Sequence, residues 1–82
     1  MRLDKYLKVS RIIKRRTVAK EVCDAGRILV NGRAAKAGTD ISVGDQLTIS
    51  YGGKTIVAQV LILAETMRAD QSETMYRIIS ET

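Results

Sequence analysis

The sequence predicts an α+β fold: two N-terminal helices packed on a small, mostly antiparallel sheet, with a short C-terminal helix. Three observations lead there. Apolar residues recur at helical spacing as far as Ala25. Asn31-Gly32 is the strongest short hairpin signal a sequence offers. Beyond it, Gln46 to Tyr51 alternates between apolar and polar residues, the period of a half-buried strand.

Arg2 to Ser10 forms the first helix, because Leu3 and Leu7 stand at i, i+4 with Tyr6 beside them. Asp4 in its first turn suits the helix dipole and could pair with Lys8 at i+4; its other role is to orient a neighbouring arginine. Val9, Ile12 and Ile13 continue the apolar face. Thr17 is placed as the N-cap of a second helix, about Val18 to Ala25, with Val18 and Val22 on its apolar face, Ala19 and Cys23 beside them, and Gly26 just past its end. Arg27 to Asn31 then reads as a strand, Arg33 to Lys36 as its hairpin partner, Ala37 to Asp40 as a loop and Val43-Gly44-Asp45 as a turn. Leu47, Ile49 and Tyr51 share one face of the following strand. Gly52-Gly53 makes a second tight turn into the longest strand, Lys54 to Leu63, whose Gln59 faces out or meets an edge. Ser72, Met75, Tyr76 and Ile79 have the spacing of a short C-terminal helix, although Ile78 beside Ile79 equally suits a strand.

Composition narrows the chemistry. The chain has 82 residues and is expected to be one domain, 1–82, with a modest core. It contains no histidine, so no His-dependent nucleophile, imidazole base or His metal ligand is available. A single cysteine makes neither an internal disulfide nor a thiolate zinc site, and fits a reducing cytoplasm. Asp4, Asp40 and Asp45 are scattered, with nothing to pair them as acid and base. No apolar run approaches the ~18 residues of a membrane span. The expectation is a protein that is not an enzyme and uses no cofactor, metal, small-molecule substrate or membrane.

Charge is the positive clue. The net charge is +5, but residues 1–36 hold eleven basic and three acidic residues, or +8, while residues 37–82 hold three and six, or −3. A front half so charged attracts a polyanion. Nucleic acid is the favoured partner and an anionic membrane surface the weaker one. Lys14-Arg15-Arg16 sits in the turn before a helix N-terminus, where backbone N–H groups also favour anions.

Four segments carry a family resemblance. Arg2-Leu3-Asp4-Lys5-Tyr6-Leu7, Arg16-Thr17-Val18-Ala19, Gly26-Arg27-Ile28-Leu29-Val30-Asn31-Gly32 and Val43-Gly44-Asp45 occur in the order and at the spacing of the S-four RNA-binding domain. Ile28 and Leu29 depart slightly from its strand pattern. The resemblance covers about residues 1–50, leaving 51–82 as a sheet extension and C-terminal helix. As a standalone form, the chain resembles the fifteen-kilodalton heat-shock protein family, and within it the members that act in ribosome quality control. That implies a cytoplasmic, monomeric factor binding large ribosomal subunits that still carry peptidyl-tRNA. It would contact rRNA and tRNA and work beside the tailing factor RqcH, which adds alanine to the stalled chain. Heat-shock-type rescue, and general binding of structured RNA, are the alternatives.

A-form RNA exposes phosphates, 2′-hydroxyls and shape more than base edges. By the resemblance, Arg2 and Arg16 are the first candidates for phosphate contact, and a planar guanidinium can bridge two phosphate oxygens. Lys14, Arg15 and Lys20 extend the patch around the second helix, Lys8 and Arg11 along the first, and Arg27, Arg33 and Lys36 flank the hairpin. Tyr6 and Tyr51 fit either core packing or base stacking, with packing favoured. Cys23 is most simply a small core residue.

Overall fold

The computed structural model describes residues 1–82. The helical spacing of Leu3, Tyr6 and Leu7 becomes α1, Leu3–Val9, with all three side chains fully buried. The leading N–H groups of a helix have no intrahelical acceptor. Here the Leu3 N–H donates to the Thr39 carbonyl at 2.8 Å and the Asp4 N–H to the Ala37 carbonyl at 3.1 Å. The predicted loop 37–40 is therefore what caps α1. The second helix, α2, is Arg16–Asp24. It starts ahead of the predicted Thr17 cap: Arg15 is the N-cap residue, no side chain caps the helix, and Thr17 lies inside its first turn. Its C-terminus follows the sequence signal closely. Gly26 takes φ 77°, its N–H donates to the Cys23 carbonyl, and the Arg27 N–H donates to the Val22 carbonyl, the paired bonds of a Schellman end.

Five strands follow: β1, Ile28–Val30; β2, Arg33–Ala34; β3, Gln46–Tyr51; β4, Lys54–Val60; and β5, Tyr76–Glu81. They form one sheet in the order β2-β1-β3-β4-β5, antiparallel at every pairing. Asn31 and Gly32 join β1 to β2 with φ of 52° and 81°, the two positive values a type I′ turn demands. Asn31 also ties the hairpin to the next turn. Its Nδ2 donates to Asp45 Oδ1 at 3.0 Å, and its Oδ1 accepts from the Gln46 N–H at 2.9 Å.

β4 ends at Val60, short of the predicted Leu63. The N–H groups of Leu61 and Ile62 both turn to the Met75 carbonyl, which also accepts the buried Tyr6 hydroxyl at 2.7 Å. One carbonyl thus holds the end of β4, the C-terminal segment and α1 together. The predicted C-terminal helix is present as a 3₁₀ helix, Ala69–Met75. It stops before Tyr76 and Ile79, which belong to β5 instead. The reason is the open edge of β4, whose backbone groups are worth more to residues 76–81 as strand partners than one further helical turn. Gln59 lies between two strands, paired with Gln46 and Arg77, and its side chain accepts a bond from Arg77 Nη2.

The core is a cluster of 16 buried residues in which Leu3, Tyr6 and Leu7 of α1 and Ala19, Val22 and Cys23 of α2 meet Ile28, Leu47 and Ile49 of the sheet. Both helices therefore cover the same sheet face. Asn31→Ala removes two hydrogen bonds and leaves alanine in a left-handed conformation. We expect it to destabilise the fold by about 1–3 kcal/mol, read as a lower urea midpoint with an unchanged slope.

Candidate nucleic-acid interface

The interface is organised by one carboxylate. Asp4 points inward from α1 with its side chain only 4% exposed. The Lys5 N–H donates to its Oδ1 at 2.8 Å, Arg2 Nε donates to Oδ1 at 3.1 Å and Arg2 Nη2 to Oδ2 at 3.3 Å. Arg16 Nε, from the first turn of α2, lies 3.5 Å from Oδ2. Of the two roles open to Asp4 in the sequence, the structure shows the second. It orients arginines, and it makes no pair with Lys8. Burial alone pushes its carboxyl pKa up, but the bonds from Arg2, Arg16 and the Lys5 amide outweigh burial and hold it below its ordinary value. The same contact ties the first residue of α2 to the first turn of α1.

Arg2 and Arg16 nonetheless remain about half exposed, at 54% and 47%. Each guanidinium has one edge on the carboxylate and donors left over for an outside acceptor. Arg2 also lies against Gly38, where a Cβ would stand 3.6 Å from its Nη1. The capping loop thereby supports the first arginine as well as the first helix.

The other predicted cations are all exposed. Lys8 lies on α1, Arg11 in the turn after it with φ 61°, Lys14 and Arg15 immediately before α2, and Lys20 on α2. Arg27 precedes β1 and Arg33 opens β2, while Lys36 follows β2 and reaches the Asp24 carbonyl at 3.5 Å. None of these eight pairs with a carboxylate. The ion pairs of the chain are those of Met1, Arg2, Lys5, Arg16 and Arg68. Lys5, for instance, is neutralised by Glu65. The first turn of α2 has no acidic residue and no capping side chain, so its N–H groups stand beside uncompensated cations.

The two tyrosines separate. Tyr6 is core, and burial pushes its hydroxyl pKa well above the usual value. Tyr51 is 40% exposed at the end of β3. Cys23 is buried, which pushes its thiol up to about 11, so it is an inert part of the core. The sequence reading did not find the double grip of Asp4 on Arg2 and Arg16, nor Gly38 beneath Arg2. The signal for the first was present in Arg2-Leu3-Asp4, but only the fold brings Arg16 to it.

The S4 domain model matches residues 1–47. The chain belongs to the S4 domain family. Over all 82 residues it is 58% identical to the RQC P-site tRNA stabilizing factor of Streptococcus pneumoniae, spanning 100% of this chain and 93% of that one. It is 53% identical to the Bacillus subtilis protein of the same name, spanning 99% and 94%. Among solved structures, the trimeric heat shock protein 15 of Vibrio cholerae superposes with a TM-score of 0.90 at 27% identity, covering 98% of this chain and 82% of that one. Both family resemblances read from the sequence are therefore shown. The S4 match ends within β3, so β4 and β5 lie beyond it. No helix is long and apolar enough to cross a membrane.

The depressed pKa of Asp4 sets a pH signature. A carboxyl held lower in the folded than in the unfolded chain stabilises the fold above its ordinary value of 3.8, and that stability is lost as pH falls through the lower folded value. Asp4→Asn should melt below wild type at neutral pH, and the gap should narrow on acidification below 3.8. Thermal melts across that range check this.

Proposed function

We propose that this chain is an RNA-binding factor of ribosome quality control. It binds large ribosomal subunits that carry a stalled peptidyl-tRNA, contacts rRNA and tRNA together, and steadies the tRNA while the nascent chain is extended with alanine. The observation that carries the reading is the arginine pair: two half-exposed guanidiniums from separate elements, locked by one buried carboxylate. They lie in the half of the chain that carries the uncompensated cations. Such a surface grips phosphates at fixed separation, which suits structured RNA of fixed shape. The full-length relatives named RQC P-site tRNA stabilizing factor supply the setting.

The chain acts as a clamp rather than a catalyst. Phosphate contacts position without reading sequence, so selectivity comes from two RNAs being presented together. Tailing chemistry then belongs to a partner on the same particle, the factor RqcH. In this reading the factor acts as a single copy, and the core formed within one chain is consistent with that.

Arg2→Ala and Arg16→Ala should each weaken binding to large subunits. Each should also lower the slope of log affinity against log salt by about 1. Removing either leaves Asp4 with its other partners, so a folded protein with a lower melting temperature is expected. Arg77→Ala, on the edge strand β5, should bind as wild type. Co-sedimentation with large subunits measures all three, and equal retention of every variant would refute the reading.

A further inference from the structure

Resting on that RNA-facing reading, we propose that Tyr51 is the stacking platform of a site for one unpaired nucleobase, built from the turn between the helices and the end of β3. Tyr51 itself lies beyond the segment the S4 model matches, while the turn between the helices lies within it.

Alternation puts Tyr51 on the same sheet face as Leu47 and Ile49, which are fully buried beneath the helices. Tyr51 is one step past that cover and emerges. Beside it a hollow of about 420 Å³ opens, within the ~300–1,000 Å³ range of small-ligand sites. Ile12 and Val18 give it apolar walls, Tyr51 an aromatic one, and Arg11, Lys14 and Arg15 stand around it. No ion pair consumes any of these three cations. Arg27 and Lys54 approach Tyr51 from its other sides, and Lys54 is its cross-strand partner.

Apolar walls, an aromatic face and unpaired cations are the parts that single-strand binders use, with bases stacking on rings while cations track phosphates. A paired base has its faces covered by its neighbours, so the occupant must be flipped, bulged or in a loop. Lys14 and Arg15 run directly into Arg16 in sequence, so a backbone gripped by Arg16 passes close to the hollow. Arg11 adds a separate observation. It occupies the left-handed position after α1, φ 61°, where glycine is least costly, yet it places a long cation at the rim.

The probe is an RNA hairpin with a single bulged 2-aminopurine, compared with the same hairpin lacking the bulge. Wild type should bind the bulged form more tightly and quench its fluorescence as the base stacks. Tyr51→Leu should bind the bulged form about tenfold more weakly and lose the quenching, with an unchanged salt slope because no charge is removed. Tyr51→Phe should retain both. Arg11→Gly should melt no lower than wild type yet bind both hairpins less well. The site is overturned if wild type neither prefers the bulge nor quenches it, or if Tyr51→Leu matches wild type on the bulged hairpin. Either result alongside an intact Arg16→Ala defect removes the base site and leaves the RNA-facing surface standing. Loss of the Arg16→Ala defect as well would remove both.

Discussion

A carboxylate almost out of contact with water is the point on which the surface of this protein depends. Burying an ionised carboxyl costs several kcal/mol unless charges and hydrogen bonds replace its hydration. Asp4 receives that replacement from Arg2 in front of α1, from Arg16 at the start of α2 and from the Lys5 amide. Pairing it ties the start of α1 to the start of α2, alongside the apolar packing of Leu3, Tyr6 and Leu7 with Ala19, Val22 and Cys23. Three positive or N–H partners converge on one negative charge, so the cluster keeps a net positive edge toward solvent. A stabilising interaction and a binding surface are here the same set of atoms.

The rest of the fold supports that cluster. Loop 37–41 is stitched to the N-terminus of α1 by backbone bonds and underlies the guanidinium of Arg2 at Gly38. Asn31 fixes the hairpin to the turn at Asp45, so the cations flanking β1 and β2 are held at a set distance from the helices. The Met75 carbonyl gathers Tyr6, Leu61 and Ile62 from separate segments, which lets the acidic C-terminal part complete the core without adding to the basic surface. The contrast between +8 and −3 is thus a division of labour between a face and its scaffold.

What could be read from the sequence were features decided by near neighbours in the chain. Helical spacing located α1 and α2, Asn31-Gly32 located the hairpin, and alternation located β3 with its bounds correct. What could not be read were features decided by distant partners. Thr17 has the chemistry of a cap, but α2 begins at Arg16, whose guanidinium lies 3.5 Å from a buried carboxylate twelve positions away. Residues 76–79 suit a helix by spacing and a strand by Ile78 beside Ile79, and it is the open edge of β4 that decides for the strand. The site divides the same way. Each candidate cation was legible singly, since long charged side chains stay exposed. The grip of Asp4 on two of them needed the fold, as did the emergence of Tyr51 beyond the helices.

Exposure on this chain therefore has two origins. Lys8, Lys20 and Arg33 are exposed because solvated charge costs nothing to leave outside. Arg2 and Arg16 are exposed on one side only, because the other is bound inward. The second kind loses less conformational entropy on meeting a phosphate, since part of the rotamer freedom of a long side chain is already spent in folding. For a chain of this size, that pre-ordering is a main route to a selective grip. A mobile lysine in place of either arginine would keep the charge but lose both the fork and the fixed spacing.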